Sequence, residues 1–238
     1  MKSRLAKFVP SWLLPPLTRP DLRTSTAFAD IGEAGPLIAG AFQAIAPIPG
    51  WFNVDDCSHF HLVLEMQKVF GIMGDLLEIG SYHGRSAAMM SRYLRPGERI
   101  VVCDAFDTET EDHDHYDNLP SPQTLRTNLF RLNPHLLDPQ IVIHHCLSSD
   151  LRLASTERFR FIHIDGGHSS EIAFQDLILA NRHLADLGVI VVDDYHNREW
   201  PDVTVGVDRF LAQSTGPTIL GDLNRHGAIG RKLYLIRA

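Results

Sequence analysis

The chain is poor in cysteine. Its 238 residues include three, Cys57, Cys103 and Cys146. That odd, scattered set has none of the short spacings that hold zinc and cannot staple a small secreted domain. It reads as reduced core cysteine in a cytoplasmic protein. Long apolar runs are also lacking, so no membrane span is expected. The start, "MKSRLAKFVPSWLLPPLTRP", is basic and then apolar, but Pro10, Pro15 and Pro16 interrupt it. A signal peptide or a membrane-lying amphipathic helix would need continuity there. Phe8, Trp12, Leu13 and Leu14 are too apolar to leave in water. The arm is therefore expected to pack on the domain or on a second copy, which predicts a homo-oligomer. Basic excess is missing too: 22 Lys and Arg face 29 Asp and Glu. Seven of the acids lie between Asp104 and Asp117, and without them the two signs balance. A nucleic-acid partner, which would call for a basic stripe, is not expected.

What is present is an alternation. "DLLEIG", "ERIVVCD", "QIVIHH", "RFRFIHID" and "GVIVVDD" are apolar runs of strand length, and helical patterns fall between them near 84–94, 122–132, 170–184 and 203–213. Apolar runs separated by helices predict a parallel sheet covered on both faces. The tail, "PTILGDLNRHGAIGRKLYLIRA", reads as an antiparallel hairpin. Two parts are expected: an N-terminal arm and helical extension over 1–74, and an α/β domain over 75–238.

In open α/β sheets ligands bind at the carboxyl ends of strands. "EIGSYHGRS" sits at such an end, with Gly80 and Gly84 allowing a tight turn. A dinucleotide fingerprint would want glycine where Tyr82 stands, which argues against a nicotinamide oxidoreductase. Glu78, just before the turn, suits a cationic ligand better than a pyrophosphate. Asp104, ending the second strand, is placed to accept hydrogen bonds from ribose hydroxyls. A nucleoside with positive charge and no phosphate meets these terms, and S-adenosylmethionine is one.

Taken in order, "LLEIGSYHGRSA", "VVCDAFD", "FIHIDGGHSSEIAFQDL" and "GVIVVDDYHNREWPDVTVGVDRF" resemble the class I S-adenosylmethionine-dependent methyltransferases. More narrowly they resemble the macrolide-sugar (mycinamicin and macrocin) O-methyltransferases, with the cephalosporin-biosynthesis methyltransferase component as a relative. The resemblance covers about 75–238. It implies a Rossmann-like, seven-stranded, mostly parallel sheet with helices on both faces and a C-terminal antiparallel hairpin. It implies that Glu78, Gly80 and Gly84 line the methionine part of the cofactor and that Asp104 holds the ribose. Leu147 and Ser148 would lie near the adenine. Ser81, Tyr82, Ala105 and Asp165 count with the same site.

Three acids end two strands. Asp165 closes the fourth, and Asp193 and Asp194 close the fifth. If these strands are neighbours, the acids lie about one strand spacing apart, ~5 Å. Carboxylates that close repel unless a cation neutralises them, and a hard divalent ion with oxygen ligands does so. Such an ion could bind an acceptor hydroxyl and ease its deprotonation. The other reading of each Asp is a cap on the following turn. The resemblance implies Mg²⁺ at Asp165, Asp193 and Asp194, and His168 as general base beside Asp165. The chain departs from the family's usual "IDGDHSYE" at Gly167 and Ser170, which loosens the loop carrying His168. "DTETEDHDHYDNLPSP" reads as a surface loop or as a lid bringing His113, His115 or Tyr116 to the substrate.

The expected function is thus Mg²⁺-assisted, S-adenosylmethionine-dependent O-methylation of a small hydroxylated acceptor, such as a sugar of a natural product or glycan. A metal-independent methyltransferase and a non-catalytic cofactor-binding subunit are the alternatives.

Overall fold

A computed structural model describes residues 37–106 and 119–237. The apolar N-terminal arm and the acidic loop with its histidines and Tyr116 lie outside the described residues. Seven strands form one sheet: β1 (Asp75–Ile79), β2 (Ile100–Asp104), β3 (Ile141–His145), β4 (Phe159–Ile164), β5 (Leu184–Tyr195), β6 (Thr218–Leu223) and β7 (Arg231–Ile236). Their order is β3-β2-β1-β4-β5-β7-β6. The first five run parallel. β7 is antiparallel to both neighbours, so the tail hairpin enters the sheet with β7 between β5 and β6. This is the seven-stranded Rossmann-like architecture the sequence leads one to expect.

The strands are apolar runs because helices cover both faces. On one side pack residues 37–45 (helix α1), α2 (Val54–Val69), α3 (Arg85–Ser91) and α4 (Pro122–Leu132), with Ile45, Phe60, Met89, Leu125 and Leu129 buried. On the other lie α5 (Ser170–His183) and α6 (Pro201–Gln213), with Phe174, Leu177, Val207 and Phe210 buried. Helix starts carry their signals. Asn53 caps α2 in a reciprocal box with Asp56, Ser121 caps α4, and Ser169 caps α5. α5 passes into β5 without a loop, so β5 starts earlier than "GVIVVDD" suggests. α3 ends at Ser91, short of the expected Leu94. No helix among the described residues is long and apolar enough to cross a membrane.

Two arginines tie the N-terminal helices to the sheet. Arg160 of β4 is fully buried and forms two bonds to Glu98, at 2.9 and 2.8 Å. It also donates to Gln67 of α2 (2.9 Å) and to the carbonyl of Tyr93 (2.7 Å). Arg85, opening α3, donates to the carbonyls of Ala46, Ile48, Gly50 and Phe52 and clasps the segment between α1 and α2.

The sheet order reverses between β1 and β4. Their carboxyl ends therefore frame the crevice where open α/β sheets bind ligands.

Candidate active site

β1 runs out into a turn that only glycine permits. Gly80 has φ 78°, and any side chain there would collide with the Asp165 carbonyl. The ends of β1 and β4 thus touch through backbone, and Asp165 N–H donates to Ile79 O at 2.8 Å. Gly84 (φ 85°) closes the turn and starts α3. Asp104 is the post around which it winds. One carboxylate oxygen accepts the N–H groups of Ser81 (2.6 Å) and Tyr82 (2.8 Å), and the other accepts Phe106 N–H (2.6 Å). Burial raises its pKa although these three bonds work the other way. Three N–H groups use much of its accepting capacity but leave lone pairs for a ligand.

Glu78 lies beneath the turn. It is fully buried, accepting from Ser81 Oγ (2.5 Å) and facing His163 Nδ1 (2.8 Å). Its carboxylate therefore supports the turn from below. At the neighbouring strand ends, Cys146 N–H donates to Asp104 O (3.1 Å), which brings Leu147 and Ser148 alongside Asp104 and Ala105. His145 Nε2 lies 3.1 Å from the Ala105 carbonyl. Ser148 is hydrogen-bonded to Asp176, whose carboxyl is pushed up to about 6 by burial. The residues expected to hold the cofactor thus sit at or just beyond the carboxyl ends of β1, β2, β3 and β4.

The acids do not converge as three. Asp165 and Asp193 stand one residue beyond the paired Ile164 and Val192, with His163 beside them. Potential ligand atoms of these three residues lie within 4.8 Å of one another, and Asp194 is not in that group. Asp194 has φ 57°, which turns its carboxylate to Asn197 Nδ2 (2.7 Å) and His168 Nε2 (3.3 Å).

The charge on Asp193 is already met by protein. Arg225 Nη2 lies 2.7 Å from its Oδ1, and Lys232 Nζ bonds its Oδ2. Lys232 also lies 2.9 Å from His163 Nε2. Burial opposes the Asp193 charge, but Lys232 and Arg225 outweigh it and hold the carboxyl well below the usual range. Burial likewise opposes the Lys232 charge, and Asp193 overcomes it, so the lysine stays protonated. For His163, burial and the Lys232 charge both lower the pKa. Neutral His163 then donates from Nδ1 to Glu78 and accepts from Lys232 at Nε2. Asp165 keeps surface open to the cleft while protein encloses its other sides. That enclosure and the charge of Asp193 raise its pKa well above the carboxylate norm. A divalent cation needs ionised carboxylates with vacant lone pairs. Here Asp193 is saturated by two cations of the protein, and Asp194 is engaged by Asn197 and His168. The donor set does not fit the Mg²⁺ expected from the sequence.

His168 is held on two sides. Its ring stacks on Trp200, centroids 4.0 Å apart and planes 13° from parallel. Asp194 Oδ2 faces Nε2 at 3.3 Å. Asp165, Gly166, Gly167, His168, Asp193 and Asp194 line one small cleft.

Sequence reasoning missed Lys232, Arg225, Trp200 and Asn197. One signal was available. Lys232 interrupts the apolar run of β7, "RKLYLI", where a lysine has to be paired if both faces are covered.

The family described as "Methyltransferase domain" matches residues 77–195. No curated protein matches the sequence significantly. Among solved structures, the O-methyltransferase NovP aligns with TM-score 0.62 at 19% identity, covering 78% of this chain and 81% of that one. The O-methyltransferase TomG from Streptomyces achromogenes, in complex with SAM, aligns with TM-score 0.57 at 21% identity over 84% and 89%. CalS11, a TDP-rhamnose 3'-O-methyltransferase, aligns with TM-score 0.54 at 14% identity over 86% and 94%. These likenesses are of fold.

Proposed function

The chain belongs to the methyltransferase-domain family, and from that premise we propose that it is an S-adenosylmethionine-dependent O-methyltransferase acting on a hydroxyl of a small molecule, a sugar of a natural product or glycan. The observation that carries this reading is the His168–Asp194 pair, at 3.3 Å, at the same sheet edge as the glycine turn. When bound, the cofactor supplies an electrophilic methyl group on a sulfonium. Gly80, Ser81, Tyr82 and Gly84 would cradle its methionine part, with Glu78 holding the turn from beneath. Asp104 and Ala105 would meet the ribose, and Leu147 and Ser148 the adenine. Asp165, at the floor of the cleft, borders both halves of the site.

The chemistry of the chain's own groups follows. His168 would take the proton of the acceptor hydroxyl, whose oxygen is the nucleophile toward the methyl group. Asp194 stabilises the imidazolium that forms, and Trp200 fixes the ring plane. General-base help of this kind contributes ~10²–10⁴ in rate. The products are a methyl ether and S-adenosylhomocysteine, with the proton on His168 passing to solvent. No step is routed through a metal, because Asp193 and Asp194 are engaged by protein groups.

Three further parts belong to this proposal. The methyltransferase domain starts at Asp75, preceded by an N-terminal extension. Assembly is homo-oligomeric, supported by the exposed Leu62, Met66, Val69 and Met73 on and just after α2. The location is cytoplasmic, supported by three free cysteines.

The test is calorimetry with S-adenosylhomocysteine, then transfer of a labelled methyl group to a panel of hydroxylated sugars. Micromolar binding, about −8 kcal/mol, and label in an ether are expected. Absence of binding would sink the reading.

A further inference from the structure

At the floor of the cleft, the place where a cation is needed is filled by the chain itself. The Lys232 side chain is 1% exposed and that of Arg225 is 4% exposed. Lys232 comes from β7, which is antiparallel to β5, and its Nζ reaches Asp193 Oδ2 and His163 Nε2 together. Asp193 Oδ1 takes Arg225 Nη2 (2.7 Å) and the Asp194 N–H (2.8 Å). Arg225 Nη1 adds a contact to Oδ2 at 3.3 Å. Both ring nitrogens of His163 are used, one by Lys232 and one by Glu78 at 2.8 Å. The Phe52 and Phe60 rings lie 5.7 and 5.8 Å from Nζ, closing the ammonium off from water and facing it with π electrons.

Two cations that hold one carboxylate this way do what a divalent ion would do for it. They offset its charge and fix its direction. A metal entering the group formed by His163, Asp165 and Asp193 would meet a buried ammonium at hydrogen-bonding distance. Like charges so close in a site shut off from water oppose binding strongly. We infer that Lys232, seconded by Arg225, is the built-in cation of this site, standing where a divalent metal would be held, and that the protein works without metal. Lys232 is a positioning residue: it acts through Asp193 and His163 and has no surface toward the cleft. The network reaches the cofactor turn, since His163 leads to Glu78 and Glu78 to Ser81. The inference rests on the methyltransferase reading for its location, but its test does not.

The test uses Mn²⁺ alone, followed by its paramagnetic resonance signal, with the full chain and its Lys232→Ala and Lys232→Met variants. Thermal melts report whether each variant is folded. The wild-type chain is expected to leave the free Mn²⁺ signal unchanged. Lys232→Ala, with the ammonium gone and its space open, should bind Mn²⁺ on the order of 100-fold more tightly than wild type. Lys232→Met loses the same charge but fills the space with a thioether, and should bind Mn²⁺ more tightly than wild type but less tightly than Lys232→Ala. Tightening in both variants is what loss of the charge predicts, whereas a lysine that merely filled space would leave Lys232→Met at the wild-type level. Micromolar Mn²⁺ binding by the wild-type chain overturns the inference. So does a folded Lys232→Ala chain that binds none. If Lys232→Ala does not fold, the wild-type result decides alone. S-adenosylhomocysteine calorimetry on the same sample reports separately on the methyltransferase reading, so the two failures are distinguishable.

Discussion

Trp200 lies flat on His168, ring centroids 4.0 Å apart, and the imidazole is pinned between that indole and the carboxylate of Asp194. This gives three linked expectations for methyl transfer from labelled cofactor. His168→Ala should lower turnover by ~10²–10⁴. Asp194→Asn should lower turnover strongly while S-adenosylhomocysteine affinity stays close to wild type, since it acts on the base and not on the nucleoside. Trp200→Ala should cost less, ~10-fold, and Trp200→Phe should restore most of it. A Phe variant as slow as the Ala variant would mean that stacking is not what Trp200 contributes.

Asp104 both shapes the turn and is offered to the ribose. Asp104→Ala removes a charged acceptor from the N–H groups of Ser81, Tyr82 and Phe106. Bonds to charged groups contribute ~1.5–3 kcal/mol each. Calorimetry should show S-adenosylhomocysteine binding weakened by at least ~10-fold. Unchanged affinity would move the cofactor away from this turn.

The Arg160–Glu98 pair is a stability determinant. Both side chains are buried, 1% and 3% exposed, and joined at 2.8 Å. Glu98→Ala leaves a buried guanidinium with only Gln67 and the Tyr93 carbonyl, at a cost of about 3–5 kcal/mol. Urea unfolding followed by circular dichroism checks this. A loss below ~1 kcal/mol would mean that water reaches Arg160.

Asp176 gives a pH signature. Burial pushes its carboxyl up to about 6, against the Ser148 hydrogen bond. The folded state therefore holds a proton that the unfolded chain releases near ~3.9. Stability from this group is intact below about pH 4 and falls as pH rises through about 6, by on the order of 3 kcal/mol. Asp176→Asn should remove that slope. Urea midpoints of both proteins from pH 4 to 7 should diverge in the Asn variant's favour. Parallel curves would show that Asp176 is ionised when folded.

The sheet was legible because parallel strands covered on both faces must be continuous apolar runs, and these chains of Val, Ile and Leu stand between capped helices. Two strand ends were legible for the same reason, since Asp104 and Asp165 break their runs, whereas β5 runs on past Asp193 to Tyr195. What these acids do was harder to read. Asp193 finds its partners on β7 and in the turn before it, and no spacing in the sequence links them. Asp194 turns away through a left-handed backbone that a string of residue types does not announce. Asp165 and Asp193 are neighbours as expected, but Lys232 reaches one of them from a strand whose entry between β5 and β6 the hairpin pattern left open. His168 was singled out by its place after Asp165. Its stacking partner, Trp200, sits in an irregular segment without periodicity to mark it.

Arg85 gathers four carbonyls from residues that precede it by a third of a hundred positions or more, and this has a consequence for how the chain is made. During synthesis the segment from Ala46 to Phe52 leaves the ribosome first, with its carbonyls in water and no guanidinium to gather them. Arg85 arrives only with the glycine turn and the first residue of α3. The clasp closes after β1 exists, and it holds the segment that carries Trp51 up against Tyr82 (5.6 Å between rings). A chain that ends before Arg85 lacks this clasp and every strand but β1.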